Sequence, residues 1–160
     1  MKHHAHVITV SDGVSAGKRS DVSGLALVEM LKQAEFHVAA PEVVPDKQER
    51  ITDAIVAAVV NGADLVVTTG GTGLGPRDVT PQATSMLIDY EVPGLGELMR
   101  RAGATKTPTA VLSRGLAGVR GHSLILNVPG SPKGAAESLE AVMTVLPHAL
   151  ELLHGHTKHD

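Results

Sequence analysis

The chain has 160 residues, of which 42% are hydrophobic and 19% charged, a composition typical of one globular domain rather than of a disordered chain. A net charge of -3 and an aromatic content of 1% argue against a nucleic-acid partner, and the lack of cysteine excludes disulfides, thiolate zinc sites and cysteine nucleophiles. The longest apolar run, 54–60, is too short for a membrane span, and no apolar signal-peptide core follows Met1, so we expect a cytoplasmic protein without a membrane partner.

The first half of the chain alternates apolar strands with amphipathic helices. Strands are predicted at 7–10, about 36–44 and 65–68. Apolar residues recur at helical spacing after Ser23-Gly24 and from Ile51 to Val59, where the following Gly62 suits a left-handed helix end. Short connections between alternating strands and helices predict right-handed βαβ units, and hence a mostly parallel sheet with helices on both faces.

The second half of the chain is less regular. Helices are predicted at 80–88, 95–102 and from Ser131-Pro132 to Leu153, and strands at 109–112 and 124–128. No linker, repeat or low-complexity segment interrupts the pattern. We therefore expect an α/β fold, a three-layer α/β/α single domain that spans residues 1–160 with its core at about 7–153.

A glycine-rich loop, Thr69 to Asp78, directly follows the third predicted strand. In a parallel sheet, ligands bind beyond the carboxyl ends of the strands, and repeated glycine lets backbone N–H groups approach a phosphate or a planar heterocycle. The loop lacks the Gly-Lys-Ser/Thr of a Walker A motif, and Pro76 replaces the third glycine of a dinucleotide fingerprint. A flexible connection is the alternative, but the entropy cost of so many glycines favours a binding loop.

Two carboxylates, each in a loop after a predicted strand, lie near one sheet edge if the second and third strands are neighbours. Asp46 follows the second strand, and Asp78 ends the glycine-rich loop. Together they could hold Mg²⁺, which prefers carboxylate oxygens, water and phosphate. Alternatively, Asp46 and Glu49 form a helix-capping box, and Asp78 stiffens the turn before Thr80-Pro81.

Two further loops face this edge. Pro129, Gly130 and Ser131 follow a strand and open the last helix, so Ser131 could cap that helix, bind an anion, or do both. Ser11 and Asp12 follow the first strand, where Asp12 is either an acceptor for a heterocycle or a turn residue. Both loops are candidates for ligand binding.

Most histidines lie near the chain ends, and several basic residues lie near the candidate loops. For His3, His4, His6, His154, His156 and His159 we favour solvated, frayed ends over a metal site. For Arg100, Arg101, Arg114, Arg120 and Lys133 we favour solvated surface charges over phosphate contacts.

Several ordered motifs resemble the molybdenum-cofactor biosynthesis proteins of the MogA/MoaB family over nearly the whole chain. The motifs are Thr68-Thr69-Gly70-Gly71-Thr72-Gly73, Gly75-Pro76-Arg77-Asp78-Val79-Thr80-Pro81, Pro93-Gly94-Leu95-Gly96-Glu97-Leu98-Met99-Arg100, Leu112-Ser113-Arg114 and Pro129-Gly130-Ser131-Pro132. The resemblance implies a three-layer α/β domain that forms homotrimers, or hexamers in some members. It also implies transfer of AMP from Mg²⁺-ATP to molybdopterin, with release of pyrophosphate, to give the substrate of a downstream molybdate-inserting enzyme.

The resemblance also assigns roles to residues. It implies that Asp46 and Asp78 are the catalytic acidic residues, which we interpret as Mg²⁺ ligands. Combined with the loop positions, it gives the cofactor-binding residues as Ser11, Asp12, Thr69, Gly70, Gly71, Thr72, Gly73, Gly75, Thr80, Ser113, Pro129, Gly130 and Ser131.

The chain departs from the family pattern at two positions. Gly13 and Gln82 stand where many members have Arg and Glu, which removes a phosphate donor and a negative charge. Two other functions stay open: a non-catalytic molybdopterin carrier and a CinA-like nucleotide pyrophosphatase.

Overall fold

The computed structural model of the chain describes residues 2–157 and shows one sheet between two layers of helices. The strands are β1 (His4–Val10), β2 (His37–Val38), β3 (Glu42–Val44), β4 (Leu65–Thr69), β5 (Tyr90–Glu91), β6 (Ala117–Arg120) and β7 (Ser123–Val128). The helices are α1 (Asp12–Ser15), α2 (Val22–Gln33), α3 (Gln48–Val60), α4 (Thr80–Leu87), α5 (Pro93–Ala104), a 3-10 helix (Pro108–Leu112), α6 (Pro132–Met143) and α7 (Leu146–Leu153).

The sheet is parallel at its centre and antiparallel at one edge. Its strand order is β2-β1-β4-β7-β6-β5, and β3 also pairs with β1. The pairs among β1, β2, β3, β4 and β7 are parallel, whereas β6 pairs antiparallel with β7 and β5. The mostly parallel α/β/α fold predicted from the sequence is confirmed.

The central strands supply two hydrophobic cores, because successive side chains of a strand point to opposite faces. In β4, Leu65 and Val67 belong to the core that α2, α5, α6 and α7 cover, whereas Val66 belongs to the core under α3 and α4. In β7, Leu126 belongs to the first of these cores and Ile125 to the second. All five side chains are fully buried, and burying each contributes about 1.5–3 kcal/mol, so this pair of strands fixes both helix layers.

Proline explains two differences from the predicted elements. The strand predicted at 36–44 is two short strands, β2 and β3, with Pro41 between them, because proline cannot donate to the sheet ladder. The closing helix predicted from Pro132 to Leu153 is also divided, into α6 and α7, and Pro147 lies in the first turn of α7. Proline has no N–H with which to continue α6.

The prediction of a strand at 109–112 is wrong. This segment is an exposed turn of 3-10 helix, and its neighbour in the chain, β6, is the strand that enters the sheet. Short apolar runs do not separate strand from helix, and Gly118 makes β6 a weak strand signal. Gly118 is nonetheless suited to its place, since an added Cβ would lie 2.7 Å from the Ile88 side chain.

The interpretation of the chain ends as frayed and solvated is wrong for several histidines. His6 lies in β1 and its Nε2 is 2.9 Å from the Glu42 carboxylate, and His154 Nε2 is 2.7 Å from Asp64 Oδ1. His3 has a side chain only 11% exposed. His159 lies outside the described residues. Within residues 2–157, no helix has the length and apolar character needed to cross a membrane.

Candidate functional site

The candidate site lies where the parallel strands β1, β3, β4 and β7 end, as expected for a doubly covered parallel sheet. Side chains tie the loops together at this edge. Thr69 Oγ1 donates to the Pro129 carbonyl at 2.7 Å, and Ser23 Oγ donates to the Gly130 carbonyl at 2.6 Å. The loops after β4 and β7 are therefore held against each other and against α2.

The glycine-rich loop needs glycine for two separate reasons. Gly70 and Gly71 have φ of 106° and 68°, in the left-handed region that disfavours side chains. An added Cβ would also collide with the Val10 carbonyl at Gly70 and with Thr80 Oγ1 at Gly71. At Gly73 and Gly75 a Cβ would lie 2.9 Å from Asp78 Oδ2, so these glycines let the Asp78 carboxylate lie against the loop.

Two threonines predicted to bind ligand are placed behind this loop. Thr80 is fully buried, and its Oγ1 donates to the Gly70 carbonyl at 2.9 Å, while Thr69 is 1% exposed. In this position both hydroxyls hold the loop in shape.

Asp12 and Asp46 join the loops after β1 and β3 by a reciprocal pair of hydrogen bonds. The Asp12 N–H donates to Asp46 Oδ2 at 2.8 Å, and the Asp46 N–H donates to Asp12 Oδ1 at 3.0 Å. The exposed Arg77 side chain donates to Asp12 Oδ2 at 2.8 and 3.0 Å. The proposed capping role of Asp46 is not observed, since Lys47 is the N-cap residue of α3 and no side chain caps that helix.

The two carboxyl groups differ in their electrostatics. Burial raises the pKa of Asp46, and the nearby charges of Asp12 and Asp78 raise it further, against the hydrogen bond from the Asp12 N–H. The Asp46 N–H and the Arg77 guanidinium hold the pKa of Asp12 below its ordinary value. Burial and the two neighbouring carboxylates therefore make the negative charge of Asp46 unfavourable, and its hydrogen bond does not fully offset this.

A cavity of about 460 Å³ borders the glycine-rich loop. The loop, α5, the 3-10 helix and the start of α6 form its walls, and its volume is within the range of small-molecule sites. Of the predicted site residues, its lining includes Gly71, Thr72, Gly73, Asp78, Ser113, Pro129, Gly130 and Ser131. The remaining ones lie outside that lining: Ser11, Asp12, Asp46, Thr69, Gly70, Gly75 and Thr80.

Asp78 connects the cavity with the Asp12–Asp46 pair. It lines the cavity, its charge acts on Asp46, and its Oδ2 accepts the Gly75 N–H at 2.9 Å. Of the two predicted catalytic carboxylates, Asp78 therefore belongs to the cavity lining, and Asp46 lies outside that lining but close enough for the charge of Asp78 to act on it.

Two of the three candidate serines, Ser11 and Ser131, cap the starts of helices through their side chains. Ser131 Oγ accepts the Gly134 N–H at 3.1 Å at the start of α6, and Ser11 Oγ accepts the Val14 N–H at 3.2 Å at the start of α1, a short helix that the sequence did not predict. Ser131 also lines the cavity beside Lys133, so the positive end of the α6 dipole faces this space.

Arginine contacts are the part of the site that sequence reasoning missed. Arg114 donates to the Gly73 carbonyl at 2.9 Å, to the Asp78 carbonyl at 2.8 Å and to Gln82 Oε1 at 3.3 Å. Arg100, which lines the cavity, donates to the Gly115 carbonyl at 2.7 Å. The interpretation as solvated surface charges is wrong for Arg100, Arg114 and also Arg120, which donates to the Leu87 carbonyl at 2.8 Å.

The two departures from the family pattern have structural settings. The Arg19 side chain lies against Gly13, where an added Cβ would be 2.6 Å from Arg19 Nε. The guanidinium of Arg19 therefore lies next to Gly13, the position at which many family members carry an arginine of their own. Gln82 is the partner of Arg114 described above.

Comparison with known proteins places this geometry in a family. A family model, MoCF_biosynth, described as "Probable molybdopterin binding domain", matches residues 6–148. The molybdopterin adenylyltransferase of Helicobacter pylori strain J99 is 42% identical over 158 residues, which cover 95% of this chain and 88% of that protein.

Solved structures agree with this assignment. The molybdopterin biosynthesis enzyme MoaB from Thermus thermophilus is 56% identical and superposes with a TM-score of 0.89 over 96% of this chain and 97% of that one. CinA from Thermoplasma acidophilum, at 20% identity and a TM-score of 0.70 over 91% and 98% of the two chains, shares the fold alone. The chain belongs to the MoCF_biosynth family, the family to which its ordered motifs point.

Proposed function

We propose that this chain is a molybdopterin adenylyltransferase. A phosphate oxygen of molybdopterin attacks the α-phosphorus of ATP, the bond to the bridging oxygen breaks, and pyrophosphate leaves. The relatives' names and the family motifs support this reaction. The single observation that carries it is the position of Asp78, which links a ligand-sized cavity to a pair of loop carboxylates.

The cavity is the proposed molybdopterin site. Its backbone groups, together with Ser113 and Ser131, can hydrogen-bond a polar heterocycle. The terminal phosphate of the pterin would lie toward the α6 N-terminus and Lys133, where the helix dipole and the ammonium both favour an anion.

The carboxylates are the proposed Mg²⁺ site. The residues fit this ion, because oxygen donors are what it prefers and because burial and like charges raise the pKa of Asp46, a condition that a bound cation relieves. Asp46 and Asp78 would hold the metal. When bound, Mg²⁺ would neutralise charge on the ATP phosphates during transfer.

Arg77 is a candidate for holding the ATP phosphates. Its ion pair with Asp12 is solvent-exposed, and such pairs contribute little to stability, so the guanidinium can exchange Asp12 for a phosphate at little cost. The reaction needs no proton carrier, so these residues act by positioning and charge neutralisation.

Pyrophosphate release from Mg²⁺-ATP, with and without molybdopterin, tests this function. We expect release from the wild type only with molybdopterin, and none from Asp78→Asn, which keeps the size of the side chain but removes its charge. Asp53→Asn is the matched control, since Asp53 is an exposed carboxylate on α3. Pterin binding, measured in parallel, should persist in Asp78→Asn.

Other outcomes identify the alternatives. Pterin binding without pyrophosphate release by the wild type would mean a carrier. Hydrolysis of a simple dinucleotide without pterin would mean a CinA-like pyrophosphatase. Full activity of Asp78→Asn would overturn the proposed role of Asp78.

We further propose that the protein acts in the cytoplasm as a homotrimer, with a hexamer as the alternative, and passes its product to a molybdate-inserting enzyme. The resemblance to the MogA/MoaB family supports these three points. Light scattering on a sizing column distinguishes a trimer or hexamer from a monomer of 16.6 kDa.

A further inference from the structure

A second group of metal-ligating side chains lies at the end of the sheet opposite the candidate site. His3, Asp64 and His154, here called the histidine cluster, each place a ligand atom within 4.8 Å of the other two. His154 Nε2 is 2.7 Å from Asp64 Oδ1, and His3 Nδ1 is 3.7 Å from Asp64 Oδ2. The family motifs and the proposed adenylyl transfer do not use these residues.

The fold explains why three residues so distant in the chain meet. His3 and Asp64 immediately precede β1 and β4, which are parallel neighbours, so both lie at the amino ends of adjacent strands. His154 is the C-cap residue of α7, the last helix described. The cluster therefore joins the first strand, the sheet centre and the closing helix.

Neighbouring groups hold the cluster in place. Asp64 Oδ2 accepts the His4 N–H at 2.7 Å, and the Asp64 N–H donates to the His4 carbonyl at 2.8 Å. The His154 ring stacks on His3 and on His122, with ring centroids 5.9 and 6.1 Å apart. His122 Nδ1 is 2.9 Å from the Leu153 carbonyl, which fixes its ring beside His154. Such outer contacts orient ligands in metal sites.

We propose that the histidine cluster binds one Zn²⁺ ion. Zinc–nitrogen and zinc–oxygen bonds of about 2.0–2.2 Å separate neighbouring tetrahedral ligand atoms by roughly 3.4 Å, and the observed separations require only small side-chain rotations to reach that value. The 2.7 Å contact between His154 Nε2 and the Asp64 carboxylate requires a proton on Nε2 in the metal-free protein. On metal binding this proton would move through solvent to Nδ1, which would free the Nε2 lone pair for the metal. Water takes the fourth position.

The donor set selects the class of metal. Two imidazoles and one carboxylate suit a first-row divalent ion such as Zn²⁺, whereas Mg²⁺ and Ca²⁺ prefer oxygen donors alone. The side chains of His3 and Asp64 are 11% and 15% exposed, and that of His154 is 31% exposed, so water competes weakly for the ion while an entry path stays open. The bound ion would clamp residues at the two ends of the chain to the sheet.

Zinc titration of metal-free protein tests this site. Calorimetry in millimolar Mg²⁺, which occupies the carboxylates of the candidate active site, should give one Zn²⁺ per chain with a Kd on the order of 1 μM or below. Saturating Zn²⁺ should raise the Tm of the wild type. Co²⁺ in its place should give the visible absorption of a four-coordinate ion, with no thiolate charge-transfer band because the chain has no cysteine.

Variants assign the ligands. His3→Gln and His154→Gln keep a polar side chain of similar size, and each should weaken Zn²⁺ binding at least tenfold. Their Tm without metal shows whether they fold. His37→Gln is the matched control, because His37 is an exposed histidine on the neighbouring strand β2. No saturable zinc binding by the wild type, unchanged affinity in both His3→Gln and His154→Gln, or loss of binding in His37→Gln would overturn the proposal.

Discussion

Asp46 carries an electrostatic cost that bears on both stability and function. Its carboxylate is half-buried beside Asp12 and Asp78, and its pKa is raised above the ordinary value. A carboxyl group with a raised pKa binds its proton more tightly in the folded state, so stability falls as pH rises from the ordinary value of 3.8 through the raised one. At neutral pH the folded protein bears this cost in full.

Asp46→Asn should therefore stabilise the protein while removing its activity. Asparagine can still accept the Asp12 N–H through its oxygen, but it carries no charge to desolvate. In the absence of Mg²⁺ at pH 7, we expect a Tm above that of the wild type by on the order of 1–3 °C, and a smaller difference below pH 4. Thermal melts at both pH values measure this effect.

Magnesium supplies the control for this prediction. If Asp46 is a ligand, millimolar Mg²⁺ should raise the Tm of the wild type and leave that of Asp46→Asn unchanged. A lower Tm for the variant at pH 7 without metal would show that the hydrogen bonds of the carboxylate outweigh its desolvation.

At the scale of elements, the glycine-rich loop is held by a side chain from another loop. Arg114 lies 41 positions after Gly73 in the chain, and its guanidinium donates to the carbonyls of Gly73 and Asp78 at once. A charged donor to a carbonyl contributes about 1.5–3 kcal/mol, so the two bonds fix the backbone on either side of the loop tip. Arg114 thereby positions the Asp78 side chain without contacting it.

Arg114→Lys tests this positioning role. Lysine keeps the charge but lacks the planar set of donors, so it cannot reproduce both bonds. We expect kcat for pyrophosphate release to fall at least about tenfold while molybdopterin affinity changes less, because a small displacement of a catalytic group lowers the rate of the chemical step. Arg101→Lys, at an exposed position of α5, is the matched control. An equal loss of affinity and kcat would show that Arg114 holds the pterin cavity instead.

Local pattern predicts those elements whose burial is visible in the spacing of their own apolar residues. The stripes of α2 and α3 and the buried runs of β1, β4 and β7 are of this kind, and the loops that follow those strands are located with them. Their convergence follows from the rule that parallel strands end at one edge.

A local sequence pattern does not predict the role of a residue whose contacts lie far away in the sequence. Arg114 has no sequence signal that separates it from a surface arginine, and no local pattern shows that the Thr80 hydroxyl donates to the Gly70 carbonyl. The sequence favours solvated ends over a metal site at the terminal histidines for the same reason, because only the parallel pairing of β1 with β4 and the position of α7 bring His3, Asp64 and His154 together.

At the scale of the whole molecule, the candidate site rests on a hydrophobic core that a mutation can destabilise without changing the hydrogen bonds of the site. Leu126 is fully buried in β7 and packs in the core under α2, α5, α6 and α7, whereas the next residue, Asn127, hydrogen-bonds Thr68 and Thr84 at 2.9 and 3.0 Å. The polar ends of the strands therefore have their own hydrogen-bond network, distinct from the apolar packing below.

Leu126→Ala should accordingly separate stability from activity. Removing a buried leucine side chain costs about 2–5 kcal/mol, which corresponds to a fall in Tm of roughly 4–20 °C for a domain of this size. Because the loops after β4 and β7 are tied by Thr69, Ser23 and Asn127 rather than by Leu126, kcat at 25 °C per folded molecule should stay within about twofold of the wild type. Leu152→Ala, at a side chain that is 38% exposed on α7, is the control for a leucine outside the core and should change Tm by less than about 2 °C. A fall in kcat in step with Tm would show that the core and the site unfold as one unit even at 25 °C, and that the hydrogen bonds at the strand ends do not hold the loops by themselves.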